Sequence, residues 1–523
     1  MVIIPAAAPL DRSELWRGKP SERRALVLGV ALAAGSFGAL AAVHYHRLGL
    51  ALSHYDARGH LVVARRIFDS ITPGWQQIGA VWLPLPHLLN AIPIQIDVLY
   101  RTGASAIVIS IVSFAVAACA IAWIVSAITD SHLAAIVAAT VFAINPNVVY
   151  LQSTPMTEPL LLALTLLGVA LLMERAALKG SGLSASRQPC SGDRARAVGL
   201  VFALACLTRY EAWPVAATAL VGAVWSRWRG GEPIVAAAWR VGRIALYPAV
   251  ALIGFAIFSR VVVGRWFVSG DFFVPENKAL GDPFLAAKEI AWGARMLSGP
   301  LLVTISLSGL GLVVAIGLSS RARAFAIIAA SLVAMAAIPW AAFVKGHPFR
   351  IRYMVPLVAI EAIGTGAIVG VSKRARVACA IAVLAAAAHE LRPFDASAPM
   401  VVEAQWDRPN VPVRAQVTAC LGHPARGVKI MASMGSLGHY MQEASSAGFA
   451  IRDFLHEGNG DLWLTALEGP YPFAQWILIE EKAQGGDVLA KLARDRPHFL
   501  DGYRRVCEGA GLALYKRRVG TRG

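Results

Sequence analysis

Apolar runs long enough to cross a membrane recur along the chain and leave it few folds. A spanning helix needs about 20 mostly apolar residues. Backbone polar groups in lipid must be satisfied within the segment, which an α-helix does. Eleven runs fit, at 25–43, 103–128, 132–150, 159–176, 197–209, 212–226, 240–262, 299–319, 324–344, 353–370 and 376–390. Composition agrees, since 57% of the 523 residues are hydrophobic and only 15% charged, where soluble domains carry about a quarter charged. The expectation is a polytopic α-helical membrane protein. A net charge of +17 would suggest nucleic acid in a soluble chain. Here Lys and Arg stand in short clusters between apolar runs, as in orientation-setting loops, and no basic-aromatic domain accompanies them, so no nucleic-acid partner is expected.

The basic clusters fix a topology. With the N-terminus inside, KGSGLSASRQPCSGDRARA (179–197), WSRWRGGEP (225–233), RAR (321–323) and SKRAR (372–376) all face the cytoplasm. The fifth and sixth runs meet at TRYEAWP (208–214) and read alternatively as one kinked helix. That reading would flip everything after it and put RAR and SKRAR outside, so a hairpin is expected. Residues 1–24 are polar and basic, and the run after them exceeds a signal-peptide core and lacks a cleavage site. They are expected to be a cytoplasmic tail before a retained first span. Four segments then face outward: the loop 44–102, NPNVVYLQSTPMTEP (145–159), the loop 265–300, and everything after 391.

From 391 onward the composition is that of a soluble domain. GVKIMASM reads as a strand, GSLGHYMQEASSAG as a helix, QWILIEE as a buried strand, GDVLAKLARDRPHFLDGYRRVCEGAG as a helical segment and LALYKRR as a last strand. Alternating strands and helices predict a small extracytoplasmic α/β domain over 391–523, after a membrane domain over 25–390. Of six Cys, Cys119, Cys206 and Cys379 fall in predicted spans as small apolar residues, and Cys190 in a basic loop. Cys420 and Cys507 share the C-terminal region, where an outside compartment permits a disulfide without requiring one.

The first outward loop opens with HYDARGHLVVARRIFD (54–69), a lone acid amid His and Arg at a membrane edge. Leu61, Val62, Ile67 and Phe68 recur at helical spacing. This predicts an amphipathic helix lying on the membrane surface, with Arg58, Arg65 and Arg66 reaching water or lipid phosphates. Asp56 at its start reads as an N-cap or as a functional acid. Pro84, Pro86 and Pro93 with Trp75 and Trp82 suggest a second interfacial element. Further on, Glu158 opens the fourth run, Arg209 and Glu211 stand at the hairpin tip, and Lys345, Arg350 and Arg352 lie at the outer end of a late run. Each also has a plain reading: a helix N-terminus for Glu158, a structural ion pair for Arg209 and Glu211, interface anchoring for the late basic residues. His60 and His87 read as structural histidines or as ligands to sugar hydroxyls or a divalent cation. In the terminal domain His456, Glu457, Asn459 and Asp461 crowd a Gly-rich loop, either a surface turn or a cation or glycan site. MASMGSLGHYM sets a Gly-rich turn before a helix, suited to an anion.

Taken in order, YDARGHLVVARRI followed by WLPLPHLL, STPMTEPLLLAL, LTRYEAW and HPFRIRYMVPLVAI resemble the GT-C superfamily of membrane glycosyltransferases. The pattern is similar to that of protein O-mannosyltransferases and of the aminoarabinose transferases of lipid A, and it covers residues 25–370. The chain departs from it where many relatives carry adjacent Asp-Glu, because Ala57 follows Asp56; Glu158 is the candidate for a second acidic function. The resemblance implies inverting transfer of a sugar from a polyprenyl-phosphate donor to a hydroxyl of a lipid, glycan or protein acceptor, at the outer face of the inner (plasma) membrane. A hydroxyl needs a carboxylate to take its proton, and Asp56 is the expected catalytic base. A leaving phosphate needs preorganised positive charge. The expected substrate-binding residues are Glu158, His60, His87, Arg209, Glu211, Lys345, Arg350, Arg352 and Tyr353. No metal ligands and no cofactor are assigned, a divalent cation staying open, and membrane lipids are the surrounding partners. The rival classes are a transporter or lipid flippase, which would place ionisable residues at mid-span and show inverted repeats, and a non-catalytic assembly protein.

Overall fold

The computed structural model describes residues 20–79, 81–177, 191–264, 266, 277–483 and 486–518. Residues 1–19 of the expected tail, most of the first basic loop with Cys190, and 267–276 of the third outward loop lie outside the described residues.

The membrane part is helical. It comprises α1 (Pro20–Arg47), α2 (Tyr55–Arg66), α3 (Leu85–Asn90), α4 (Asp97–Thr102), α5 (Ala104–Thr129), α6 (His132–Ala143), α7 (Pro146–Leu151), α8 (Glu158–Ala177), α9 (Ser191–Cys206), α10 (Ala212–Arg229), α11 (Ile234–Phe258), α12 (Pro283–Ser298) and α13 (Pro300–Ser319). A run of α and 3-10 turns from Arg321 to Val344 contains α14 (Ile327–Ala330) and α15 (Ala337–Val344); α16 (Leu357–Val371) and α17 (Arg376–Glu390) follow. All eleven apolar runs therefore lie on helical segments. Seven helices among the described residues are long and apolar enough to cross a membrane: those of α1, α5, α8, α11, α13, the Arg321–Val344 run and α16. The runs at 132–150, 197–209, 212–226 and 376–390 belong to shorter or more polar helices, which length and composition alone do not qualify.

Close backbone approach holds these helices where side chains cannot segregate from lipid. A Cβ at Gly309 of α13 would collide with the Gly364 carbonyl of α16, and one at Gly364 with the Ser306 carbonyl. The Glu390 carboxylate caps α13, accepting from Leu301 N and Leu302 N at 2.8 Å each.

After α17 come α18 (Pro399–Glu403) and α19 (Val411–Leu421), then a five-stranded sheet with α20 (Met434–Ala444), α21 (Asp461–Glu468) and α22 (Val488–Asp495). The strands are β1 (Ile430–Ala432), β2 (Phe454–Leu455), β3 (Trp476–Glu480), β4 (Tyr503–Gly509) and β5 (Leu512–Arg517), in the order β2-β1-β3-β5-β4. The first three are parallel, β5 runs antiparallel to β3, and β4 runs antiparallel to β5. This is the expected small α/β domain, with one correction: the segment expected to be helical throughout 486–511 keeps its helix only to Asp495, and Tyr503–Gly509 is strand β4, because it hairpins onto β5. Cys420 of α19 and Cys507 of β4 form a disulfide across 87 residues, Cα to Cα 6.5 Å.

The apolar stripe of α2 overturns the surface-helix expectation. Leu61, Val62 and Ala64 are fully buried and pack with Tyr440, Met441 and Phe454 of the α/β domain rather than with lipid. The arginines are buried too. Arg58 pairs with Glu443, Arg65 bonds Asp69 at 2.9 Å and Asp97 at 2.6 Å, and Arg66 bonds the Gln77 carbonyl and contacts the Met434 sulfur. Period alone shows that a helix has two faces, not what covers them. The loop around His456 likewise docks rather than opens: Gln77 donates to Gly458 O at 2.7 Å, and Asn459 donates to Ser70 and Thr72 at 3.1 and 3.0 Å. Glu457 itself fills the N-terminus of α20, accepting from Met434 N at 2.6 Å, so the anion expected there is the domain's own carboxylate.

Candidate active site

Asp56 sits in the first turn of α2, where free N–H groups and the helix dipole favour negative charge. It is not the cap. That role falls to His54, whose Nδ1 accepts from Asp56 N at 3.1 Å. The Asp56 carboxylate instead contacts the Arg352 guanidinium, which arrives from the turn Ile351–Met354 before α16. Both side chains are about nine-tenths buried. Burial alone would push the Asp56 carboxyl up, but the Arg352 charge, helped by His54 and His60, holds it down at about 2. The acid is thus ionised at neutral pH, and tightly held.

Around this pair the chain gathers most of the expected residues. Arg352 lies 5.1 Å over the Tyr353 ring and Arg350 5.5 Å over Trp406. Tyr55 lies within electrostatic reach of Asp56, Arg350 and Arg352, and burial raises its hydroxyl pKa far above normal. Beside them stands a knot at the hairpin tip. Arg209 donates to Glu158 at 2.9 Å and to Thr157 at 3.1 Å through Nη1, and to Glu211 at 2.7 Å through Nη2. Glu158 is completely buried, and its second oxygen has no partner among the described residues. Asp56 is matched by Arg352, and Glu158 and Glu211 by Arg209. Only such balance makes so many buried charges tolerable. Lys345 stands apart, exposed at the end of α15.

His60 and His87 form a directional pair. His87 Nδ1 lies 3.1 Å from the Leu83 carbonyl, so it carries the proton, and its Nε2 must accept. His60 Nδ1, 3.1 Å from that nitrogen, must then donate. Tautomers here are assigned from partners. Burial keeps both rings neutral, lowering His87 to about 3, with Arg66 adding to the effect, and pushing His60 well below its ordinary value, with His87 adding to it. The pair leaves His60 Nε2 as an uncharged acceptor. Trp82 packs on the His60 ring at 4.1 Å, a site contact where only interface anchoring was expected. The pair lines a small cavity of about 20 Å³ with Asn90, Ser110 and Thr157. Since each histidine already spends a ring nitrogen on the pair, it is a poor metal chelate.

Among the described residues, one group has metal-ligand spacing, Asp407, His439 and Glu443 in the α/β domain. Arg414 already bonds Asp407 through two nitrogens at 2.7 and 2.5 Å and Glu443 at 2.9 and 2.6 Å. A cation would have to displace that arginine, so the donors do not suit a metal.

Sequence reasoning missed three residues at the site, the buried His54 and Glu403 and the partly buried Tyr55. His54 and Tyr55 were legible as neighbours of Asp56, though nothing gave them roles. Glu403 and its neighbours carry no local signal, since a Glu in a soluble-looking stretch is ordinarily exposed.

The chain shares its fold with solved GT-C membrane glycosyltransferases. It is similar to ArnT from Cupriavidus metallidurans bound to undecaprenyl phosphate, with TM-score 0.55 and 12% identity over 95% of this chain and 98% of that one. It is also similar to the Archaeoglobus fulgidus oligosaccharyltransferase in its apo form, TM-score 0.52 and 11% identity over 91% of this chain and 73% of that one. A complex of the same archaeal enzyme, AglB, with an inhibitory peptide and a dolichol-phosphate matches at TM-score 0.50, 10% identity, 95% and 75%. No family model matches the sequence, and no curated protein does.

Proposed function

We propose that the chain transfers a sugar, with inversion, from a polyprenyl-phosphate-linked donor to a hydroxyl of a lipid, glycan or protein acceptor at the outer face of the inner (plasma) membrane. The buried Asp56–Arg352 contact carries this reading. It offers an ionised base and a phosphate-matching fork side by side, in a fold whose solved members include one bound to undecaprenyl phosphate and one in complex with a dolichol-phosphate.

In the proposed step the acceptor oxygen attacks the anomeric carbon and its proton passes to the Asp56 carboxylate. The bond from that carbon to the lipid-phosphate oxygen breaks, and the phosphate leaves with the electron pair. Arg352 and Arg350 meet the charge on the leaving group, and Tyr353 holds the Arg352 plane. Donor phosphate competes with Asp56 for Arg352. Once it takes the guanidinium, burial acts on Asp56 with less opposition and makes it a stronger base. His60 Nε2, backed by His87, accepts from a sugar hydroxyl, while Arg209 holds Glu158 and Glu211 at the rim. Exposed Lys345 meets the lipid phosphate on its approach. The proposed arrangement has residues 1–24 in the cytoplasm, 25–390 in the membrane and 391–523 outside; the Cys420–Cys507 disulfide supports an oxidising compartment for the last.

The test is transfer of labelled sugar from polyprenyl phosphate in membranes containing the protein. Asp56→Asn is expected to lose transfer by on the order of a hundred- to ten-thousandfold; wild-type rates in that variant sink the assignment. One observation favours the transporter reading, the buried acid Glu361 at the middle of the span Ile351–Val371. Loss of lipid-linked sugar translocation in Glu361→Gln, with Asp56→Asn still active, would decide for it.

A further inference from the structure

Glu403 is a buried acid that the proposed step does not use. It ends α18, a five-residue helix in the segment between the last membrane helix and the sheet. Its Oε2 accepts from Ile351 N at 3.2 Å, one residue before Arg352. Its Oε1 lies 3.5 Å from His54 Nε2, two residues before Asp56. Among the described residues neither of those last two atoms has a hydrogen-bond partner, so this 3.5 Å approach is the nearest polar contact given for either. His54 Nδ1 accepts from Asp56 N, so the ring hydrogen belongs on Nε2, the ring atom that approaches the Glu403 carboxylate. His54 and Glu403 are 1% and 5% exposed.

The two contacts close a ring: Glu403, His54, the Asp56 backbone, the Asp56–Arg352 side chains, the Ile351 backbone and Glu403 again. Neighbouring bonds fix α18 in this place. Ser53 Oγ donates to Ala404 O at 2.5 Å, and Met400 N donates to Asn147 at 3.0 Å, while Asn147 donates to Leu297 O at 3.0 Å. The ring matters because its weakest link is functional. A donor phosphate that takes Arg352 must part the Asp56–Arg352 side chains, and nothing in that pair then holds the two backbones in register.

We infer that Glu403 is a positioning residue which, through His54 on one side and Ile351 N on the other, keeps Asp56 and Arg352 in register while their side chains separate to admit substrate. The inference rests on the glycosyl-transfer reading for its kinetic consequence but on geometry alone for the tie between α18, α2 and the turn before α16. Glu403→Gln places an amide N–H₂ or a weaker acceptor against two N–H donors. His54→Asn keeps a side-chain cap on α2 but is too short to reach Glu403.

The experiment is a double-mutant cycle on the full chain in membranes, with labelled polyprenyl-phosphate sugar. Glu403→Gln and His54→Asn are each expected to lower kcat by on the order of ten- to a hundredfold with the donor KM within about twofold of wild type, and the double variant to fall no further than the worse single one. Hydrogen exchange at the first-turn amides of α2, in detergent without substrate, is expected to quicken in Glu403→Gln. Wild-type kcat in Glu403→Gln, a change in KM alone, or losses that multiply in the double variant overturn the inference. Should Asp56→Asn transfer sugar as wild type does, the glycosyl-transfer reading falls by itself. The exchange measurement then decides the tie separately, and unchanged protection overturns it.

Discussion

At the scale of the residue, Asp56 is defined by what opposes its burial. Its carboxyl lies at about 2 because desolvation, the largest single effect, is outweighed by the Arg352 charge and hydrogen bond together with His54 and His60. A depressed folded pKa makes the pair stabilising above the unfolded value, near 3.9, and that stability is lost as pH falls through about 2. The same shift predicts activity: on the acid side, kcat/KM shows no limb from Asp56 between pH 7 and 4. In Arg352→Gln, burial acts without its main opponent, so the acid limb moves to higher pH even where some turnover survives. A pH profile of both proteins checks this, and an unmoved limb in the variant would show that Arg352 does not set the base. The buried histidines behave oppositely. Held neutral well below their ordinary range, His60 and His87 give no limb near pH 6.

At the scale of the element, α2 shows why a charged stripe need not be a wet one. Its apolar face packs into the core of the α/β domain, Arg58 finds a carboxylate there, and Arg65 finds two within its own loop. Arg58 meets Glu443 across 385 residues, and Glu443 is shared with Arg414, which also holds Asp407. Removing one member leaves a buried guanidinium without its counter-charge. Glu443→Leu is expected to destabilise the protein by about 3–5 kcal/mol, and Arg58→Met with Glu443→Leu by clearly less, since replacing both partners avoids the orphaned charge. Thermal unfolding in detergent reads both, and equal losses would show that the pair contributes only packing. Helix contacts in the membrane depend instead on the absence of side chains. Gly364→Ala brings a methyl against the Ser306 carbonyl, so it is expected to lower the melting temperature more than Ala substitution at Gly311, which has open space around it.

At the scale of the whole molecule, the α/β domain and the apolar helices share the segment 44–102 as a common layer, with α2 packed under the sheet domain. The Cys420–Cys507 disulfide ties α19 to β4 within that upper layer. Cys420→Ser is expected to cost about 2–5 kcal/mol, and native protein treated with a thiol reagent before reduction should label at neither cysteine. Labelling of both without a reductant would place the domain in a reducing compartment and reverse the proposed topology. A loosened sheet domain should also reduce transfer, because it covers the helix that carries Asp56.

The order of apolar helices, the small α/β domain and the positions of Asp56, Glu158, Arg209 and Arg352 were legible in the sequence, because span length, hydrophobic period and charge at span ends are local properties. The amphipathic character of α2 was legible as well, but not its burial. What lies over a helix face is chosen by residues far along the chain, and here that cover is Tyr440 and Glu443 rather than lipid or water. The end of helix α22 and the start of β4 were missed because helical period continues past the point where pairing with β5 takes over. The same distance hid Glu403. Its carboxylate gains a role only when Ile351 N and His54 Nε2 converge on it. Chain chemistry determined which charges could be buried at the membrane edge; tertiary structure decided which are neutralised by which, because a buried charge is tolerated only where a partner is brought to it.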